Sequence, residues 1–172
     1  QDIVNSSKES SDLKTKLSSA TELLNEVSTE VRSISHQMMP RALSEVGLVA
    51  AIEDMLGKAL ANKEIKYEFE YSNITERFSE NVEIGLYRIT QELINNMLKH
   101  SNAKEVSVQL FKNNSKLILV VEDNGRGFNM DDTLKKGHGL MNIESRAKSI
   151  NGTVNYYTGP EGGAVATISV TI

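Results

Sequence analysis

The chain has 172 residues, with 19 Lys+Arg against 23 Asp+Glu for a net charge of −4, 39% apolar residues, two prolines and no cysteine. A chain of this length makes about one domain with a substantial core, and without cysteine it has no disulfide framework, thiolate metal site or Cys nucleophile, which fits a reducing compartment. The acidic balance argues against a polybasic nucleic-acid or anionic-lipid binder. No apolar run approaches the roughly 18 residues that span a bilayer, and the polar start Gln1-Asp2 is no signal peptide, so membrane attachment is expected only through segments outside this chain.

The unusual residues are unevenly placed. All 11 glycines lie at or after Gly47 and all nine aromatics at or after Tyr67, so residues 1–40 contain neither. Residues 1–11 read as a polar loop. Leu13, Leu17, Ala20, Leu24, Val27, Val31, Ile34 and Met38 then follow one another at spacings of 4, 3, 4, 3, 4, 3 and 4, a heptad seam. The spacing predicts a helix from Asp12 to Met39, about 42 Å long, stopped by Pro40. Such a thin stripe calls for a partner helix, in a coiled coil or bundle.

From Arg41 the periodicity is that of a compact domain. Leu48, Ala51, Ile52, Met55 and Leu56 recur at helical spacing, and Ile65 to Tyr71 alternates with period two, giving helix then strand. A long helix is expected from Ser79 to His100, with Ile84, Tyr87, Ile89, Leu93, Ile94 and Met97 available to the core. Val106–Phe111 and Leu117–Glu122 read as strands around the polar turn Lys112-Asn113-Asn114-Ser115. A Gly-rich polar stretch runs from Asp123 to Gly139, followed by a helix from Leu140 to Ile150 ended by Asn151-Gly152. Strands near Thr153–Tyr157 and Ala164–Ile172 flank the turn Gly159-Pro160-Glu161-Gly162-Gly163. The order α β α β β loop α β β predicts an α+β fold, a two-layer sandwich with a mixed, largely antiparallel sheet and its helices on one face. It lacks the strict βαβ alternation of a Rossmann or P-loop fold, and G-x-x-x-x-G-K-[ST] is absent.

Three clusters carry chemistry. Glu92, Asn96, Lys99 and His100 stand at i, i+4, i+7 and i+8 and share a helix face. Asn96 offers an amide oxygen to a hard cation, while Lys99 and His100 suit phosphate oxygens; alone, the pattern reads equally as an exposed polar face. In Glu122-Asp123-Asn124-Gly125-Arg126-Gly127-Phe128, a carboxylate leaves a strand just before two glycines. That arrangement supplies an acceptor for an exocyclic amine and a backbone open to a flat ligand, or simply a turn. Lys135-Lys136-Gly137-His138-Gly139-Leu140 stands before a helix, whose free N–H groups and dipole favour an anion.

In this order and spacing the three clusters resemble the N, G1 and G2 boxes of the Bergerat-fold ATPases shared by gyrase, the heat-shock chaperone ATPase and the sensor histidine kinases. Tyr87-Arg88-Ile89-Thr90-Gln91-Glu92-Leu93-Ile94-Asn95-Asn96 with Lys99-His100-Ser101, and Gly137-His138-Gly139-Leu140 with Asn142-Ile143 and Arg146, look like the nitrate-sensor and desaturase-sensor class of histidine kinases. Val31 to Pro40 with Gly47-Leu48 resembles the end of that class's second dimerisation helix and its junction with the ATPase domain. The resemblance therefore divides the chain into 1–40, a partial dimerisation and phosphoacceptor domain, and 41–172, the ATPase domain.

By this resemblance Asp123 accepts the adenine amino group, Gly125, Gly127 and Phe128 shape the base pocket, and Thr167 stands near adenine. Asn96 binds Mg²⁺, and Glu92 orients a metal-bound water or the attacking group. Lys99 and His100 meet phosphate oxygens of ATP, while residues from about 129 to 139 form a lid whose Gly137, His138, Gly139 and Leu140 close on the triphosphate. The implied reaction passes the γ-phosphoryl group to a histidine, then to an aspartate of a response regulator, in a cytoplasmic homodimer formed through the dimerisation helices. No nucleic acid is implied.

Of the three histidines, His100 and His138 lie in the nucleotide boxes. His36 is opposed as acceptor by Gln37 where an acidic neighbour is expected, by Pro40 four rather than five residues on, and by its place off the heptad seam. The expectation is a piece that starts after the acceptor helix and binds ATP without phosphorylating itself. An anti-sigma-factor-type serine kinase would need no dimerisation helix, and a non-catalytic Bergerat module would not need its motif residues intact.

Overall fold

The computed structural model describes residues 41–127, 138–159 and 162–172. The helix expected over 12–39, His36, Phe128, Gly137 and the expected lid between 129 and 137 lie outside the described residues. Helix α1 (Arg41–Val46) leads through Gly47 into α2 (Leu48–Leu60), followed by strand β1 (Lys66–Ser72) and the long helix α3 (Glu80–His100). Strands β2 (Glu105–Asn113) and β3 (Lys116–Asp123), helix α4 (His138–Ser149), and strands β4 (Gly152–Thr158) and β5 (Ala164–Thr171) complete the described elements. The expected order is observed with one addition. Six-residue α1 contributes a buried Leu43 and is too short to leave a periodic signal.

The five strands form one sheet in the order β1-β2-β3-β5-β4. Only β1 and β2 run parallel, joined through α3; the other pairs are antiparallel. In-register neighbours put Val108, Val121 and Ala166 on one face, with Leu110, Leu119 and Ile168 in the next layer, all buried. Against this face lie Leu48, Ile52, Met55 and Leu56 of α2, Leu86, Ile89, Leu93 and Met97 of α3, and Ile143 and Ala147 of α4. The other sheet face carries Gln109, Ile118, Val120, Thr167 and Ser169, all half-buried. Alternation along β2, β3 and β5 is what one covered and one open face requires. On α3 the buried stripe turns slightly from expectation, taking in Val82 and Leu86 and leaving Ile84 and Tyr87 half-buried.

Element ends follow a rule of their own. Asn62, Asn73, Asn102, Asn114 and Asn151 all have φ between 52° and 60°, one just after each of α2, β1, α3, β2 and α4. Asparagine tolerates the left-handed region through local hydrogen bonding of its short amide, so it stops these elements where glycine would serve. At the other end of α3, Glu83 is buried at 1% exposure yet fully engaged. Its carboxylate accepts Arg77 Nε at 2.8 Å, Arg77 Nη2 at 2.6 Å and the Phe78 N–H at 3.1 Å. The same guanidinium donates to the Leu43 carbonyl oxygen at 2.9 Å, which ties the end of α1 to the first turn of α3. That ion pair holds the far end of the helix whose C-terminal half carries the candidate site.

Candidate nucleotide site

The C-terminal half of α3 is the meeting point of the three clusters. Glu92 and Asn96 lie one turn apart and are half-buried, while Lys99 and His100 in the last turn are exposed. Gly139, in the first turn of α4, lies directly over the first two. A Cβ on it would stand 2.8 Å from Glu92 Oε1, 3.1 Å from Asn96 Nδ2 and 3.2 Å from Asn96 Oδ1. A larger residue there would press on the ends of these two polar side chains. A Cβ on Gly85 would likewise stand 2.8 Å from Ile150 Cγ2, so α3 and α4 run antiparallel with the start of α4 at the site. The first turn of α4 thus presents its free N–H groups and positive dipole end beside Asn96. Leu140 is half-buried in that turn, and His138 opens it.

The second cluster is clamped to the same helix end. The Arg126 N–H donates to the Ser101 carbonyl oxygen at 3.0 Å. A Cβ on Gly125 would overlap that oxygen and stand 2.7 Å from Ser101 Cβ. Asn124 bridges the turn to β2, its Oδ1 accepting the N–H groups of Lys104 and Glu105, each at 2.9 Å. Gly127 adopts φ 73° against Thr158 and Gly163, which brings the β4–β5 hairpin to the same place.

Asp123 is 8% exposed at the end of β3. Burial pushes its carboxyl above the ordinary 3.8, while hydrogen bonds from the Gly125 and Ala164 N–H groups and the nearby Ser101 hydroxyl pull the other way. The Gly125 N–H reaches Oδ1 at 2.8 Å. Between α3 and α4 lie the half-buried charged residues Arg88, Glu92 and Arg146. Burial and the neighbouring Arg88 lower the affinity of Arg146 for its proton, and Glu92 opposes them. Among the described residues, no group of three or more His, Asp or Glu side chains could hold a metal ion unaided. A hard cation would need ligand oxygens beside the Asn96 amide, and the donor set of amide and carboxylate has the oxygen chemistry such a cation takes.

Thr167 is not brought to the site. It pairs with Val120 and Asn155 on the open face of the sheet, whereas Asp123 points to the helix face with Val121 and Leu119. One register step beyond the Glu122–Val165 pair, the residue beside Asp123 is Ala164, whose N–H donates to it. The expectation for Thr167 is therefore corrected: it stands three positions along the strand from that place, and an odd offset reverses the face. Ser101 and Ala164 lie beside Asp123 although sequence reasoning gave them no role. Ser101 follows Lys99-His100 directly, and that adjacency was the available signal.

Residues 81–172 match the histidine kinase-, DNA gyrase B-, and HSP90-like ATPase family. The chain is 34% identical to the sensor protein VraS of Staphylococcus aureus over 134 residues, covering 78% of this chain and 38% of VraS. It is 31% identical over 143 residues to the signal transduction histidine-protein kinase/phosphatase DegS of Brevibacillus brevis, covering 83% of this chain and 37% of DegS. The chain thus spans under two-fifths of the VraS and DegS lengths. In fold it is similar to the Acinetobacter baumannii histidine kinase AdeS, at TM-score 0.62 and 19% identity over 88% of this chain and 83% of that one. The histidine kinase domain of the Erythrobacter litoralis blue-light activated kinase EL346 superposes at TM-score 0.57 and 20% identity, covering 70% of this chain and 57% of that one. Among the described residues no helix is long and apolar enough to cross a membrane.

Proposed function

The chain belongs to the histidine kinase-, DNA gyrase B-, and HSP90-like ATPase family and is homologous to sensor histidine kinases, and from that premise we propose that its three clusters form the ATP site of a two-component kinase. An ATPase domain of this family binds ATP. The observation that carries the site assignment is convergence: Gly139 lies on Glu92 and Asn96, and Gly125 beside Asp123 lies on Ser101, at the two sides of one helix end.

Asp123, held by the Gly125 N–H, accepts the exocyclic amine of adenine, and Gly125 and Gly127 let the base approach the backbone. The N-terminus of α4 and Gly139 face the phosphates, with Lys99 and His100 supplying positive charge from the last turn of α3. Asn96 would hold Mg²⁺ through its amide oxygen, and the cation supplies neutralisation of phosphate charge. Glu92, one turn earlier, orients the attacking group. Catalysis in such a site rests on positioning and electrostatics rather than on covalent chemistry by the protein. The acceptor is a histidine outside the described residues. The phosphoryl group passes from it to a response-regulator aspartate, in a dimer on the cytoplasmic side of the membrane.

The test uses the intact sensor that contains this chain, incubated with γ-labelled ATP. Acid-labile, base-stable label is expected on the protein, and it should vanish in Asn96→Asp. Acid-stable label on serine or threonine would contradict the reading and favour a serine kinase.

A further inference from the structure

We propose that Asn124 is a positioning residue for base selection: its side chain clasps the start of β2 and so fixes the N–H that orients the Asp123 carboxylate towards an exocyclic amine. The inference rests on the nucleotide-site reading above.

The ladder between β2 and β3 ends at the Val106–Asp123 pair, and Asn124 leaves the strand at that point. Its own N–H donates to the Glu105 carbonyl oxygen at 3.2 Å. Its Oδ1 accepts the N–H groups of both Lys104 and Glu105, each at 2.9 Å. Of the two amide atoms only the oxygen can accept, so two donors meeting on one atom fix which way the side chain faces. This side-chain carbonyl stands in for the main-chain carbonyl that a longer β3 would offer, and the main chain is free to turn at Gly125. The point it holds is itself anchored. The Lys104 carbonyl oxygen accepts the Lys66 N–H of β1 at 2.9 Å, and the Ala103 N–H donates to Ser101 Oγ at 3.0 Å. The β4–β5 connection closes on the same turn: a Cβ on Gly163 would overlap the Asp123 carbonyl oxygen and stand 3.1 Å from Asn124 Cα.

Orientation passes from Asn124 to Asp123 through one bond. The Gly125 N–H donates to Asp123 Oδ1 at 2.8 Å, and its direction is set by the peptide between Asn124 and Gly125. Without the Asn124 side chain, that residue keeps only its main-chain bond of 3.2 Å to β2, at the long end of the usual range, and the Lys104 and Glu105 N–H groups turn to water. The peptide can then rotate, the Gly125 N–H goes with it, and the carboxylate loses its fixed direction. The Arg126 N–H on the Ser101 carbonyl oxygen holds only the far side of Gly125. Asn124 is exposed whereas Asp123 is buried, so truncating the Asn124 side chain leaves no cavity and the loss is of orientation rather than of packing.

The measurement is the affinity of the 172-residue chain for Mg-ATP and for the triphosphate of purine riboside, which lacks the amino group. The wild-type chain should prefer ATP by roughly 10-fold or more, the worth of one hydrogen bond to a charged group. Asn124→Ala should bring that preference down to about 2- to 3-fold with little change for purine riboside triphosphate, and so should Asn124→Ser, whose hydroxyl is one bond too short to meet both N–H groups. Asn124→Asp keeps an acceptor oxygen in the same place and should restore the preference; its added charge acts on both triphosphates alike and cancels in the ratio. A merely structural role would lower the urea midpoint or both affinities together and leave their ratio alone. The wild-type ratio in Asn124→Ala or Asn124→Ser, or a ratio that Asn124→Asp does not restore, overturns the role of Asn124 and leaves the site reading standing. A wild-type chain that binds neither nucleotide, or does not discriminate between them, overturns both.

Discussion

Replacing Gly125 by alanine puts the site geometry under the most direct steric load. The added methyl would overlap the Ser101 carbonyl oxygen and sit 2.7 Å from Ser101 Cβ and 2.8 Å from Asp123 Oδ1. None of these atoms is the loose end of a flexible chain. The Ser101 carbonyl is engaged by Arg126 at 3.0 Å, and Oδ1 by the Gly125 N–H itself at 2.8 Å. Relief therefore requires the 123–126 turn to move away from α3 as a unit, at about 1–3 kcal/mol of stability for an overpacked methyl. The same movement takes Asp123 from its place. Loss of one hydrogen bond to a charged acceptor is worth about 1.5–3 kcal/mol, or roughly 10- to 150-fold in affinity. Calorimetric titration with a Mg-ATP analogue, alongside urea unfolding of the unliganded chain, reads both effects. Gly125→Ala that binds within about twofold of wild type would refute the argument that this glycine holds Asp123 against Ser101.

Further outcomes separate stability from binding. Gly85→Ala would press on Ile150 at 2.8 Å and 3.0 Å, so it should lose about 1–3 kcal/mol in urea unfolding yet leave ATP affinity of the folded chain unchanged, and Ile150→Val should recover part of the loss. Gly57→Ala, whose Cβ would meet only the Tyr67 hydroxyl at 3.6 Å inside α2, should instead stabilise by about 0.5–1 kcal/mol in the same assay. Asn102→Ala places a Cβ at φ 56° without the amide that offsets it and should cost about 1 kcal/mol, whereas Asn102→Gly should be close to neutral. The pH dependence follows from Asp123, whose carboxyl is raised above 3.8 by burial. Its contribution to unliganded stability is fully present below the unfolded value and is lost as pH rises through the folded value. ATP affinity runs the opposite way, weakening as pH falls through that raised value because the protonated carboxyl no longer accepts from the base. Titrations at a series of pH values should show this weakening in wild type and its absence in Asp123→Asn.

Much of the architecture was legible because period and punctuation are local properties. Alternation marked β1, the polar turn from Lys112 to Ser115 joined β2 to β3, and Asn151-Gly152 closed α4. Pairing direction is not written in alternation, so the parallel register of β1 on β2 became visible only with α3 crossing between them. Glu83 was invisible for a different reason: a carboxylate in a helix first turn looks like a response to the dipole, and its burial depends on Arg77 six residues earlier. At the site, motif spacing placed Asp123, Asn96 and Gly139 in one neighbourhood. It misplaced Thr167, because a three-residue offset along a strand looks small in sequence yet crosses to the other face of the sheet. Ser101 and Ala164 carry no pattern of their own; they come beside Asp123 only through tertiary structure.

The central claim is that the helix end joining Asn96, Asp123 and Gly139 is an ATP site. Calorimetry with a Mg-ATP analogue on wild type, Asn96→Asp and Asp123→Asn tests it most directly. Asn96→Asp should weaken binding by replacing the neutral amide with a charge beside the phosphates, and Asp123→Asn by removing the acceptor for the adenine amine. Affinity unchanged in both variants would contradict the assignment.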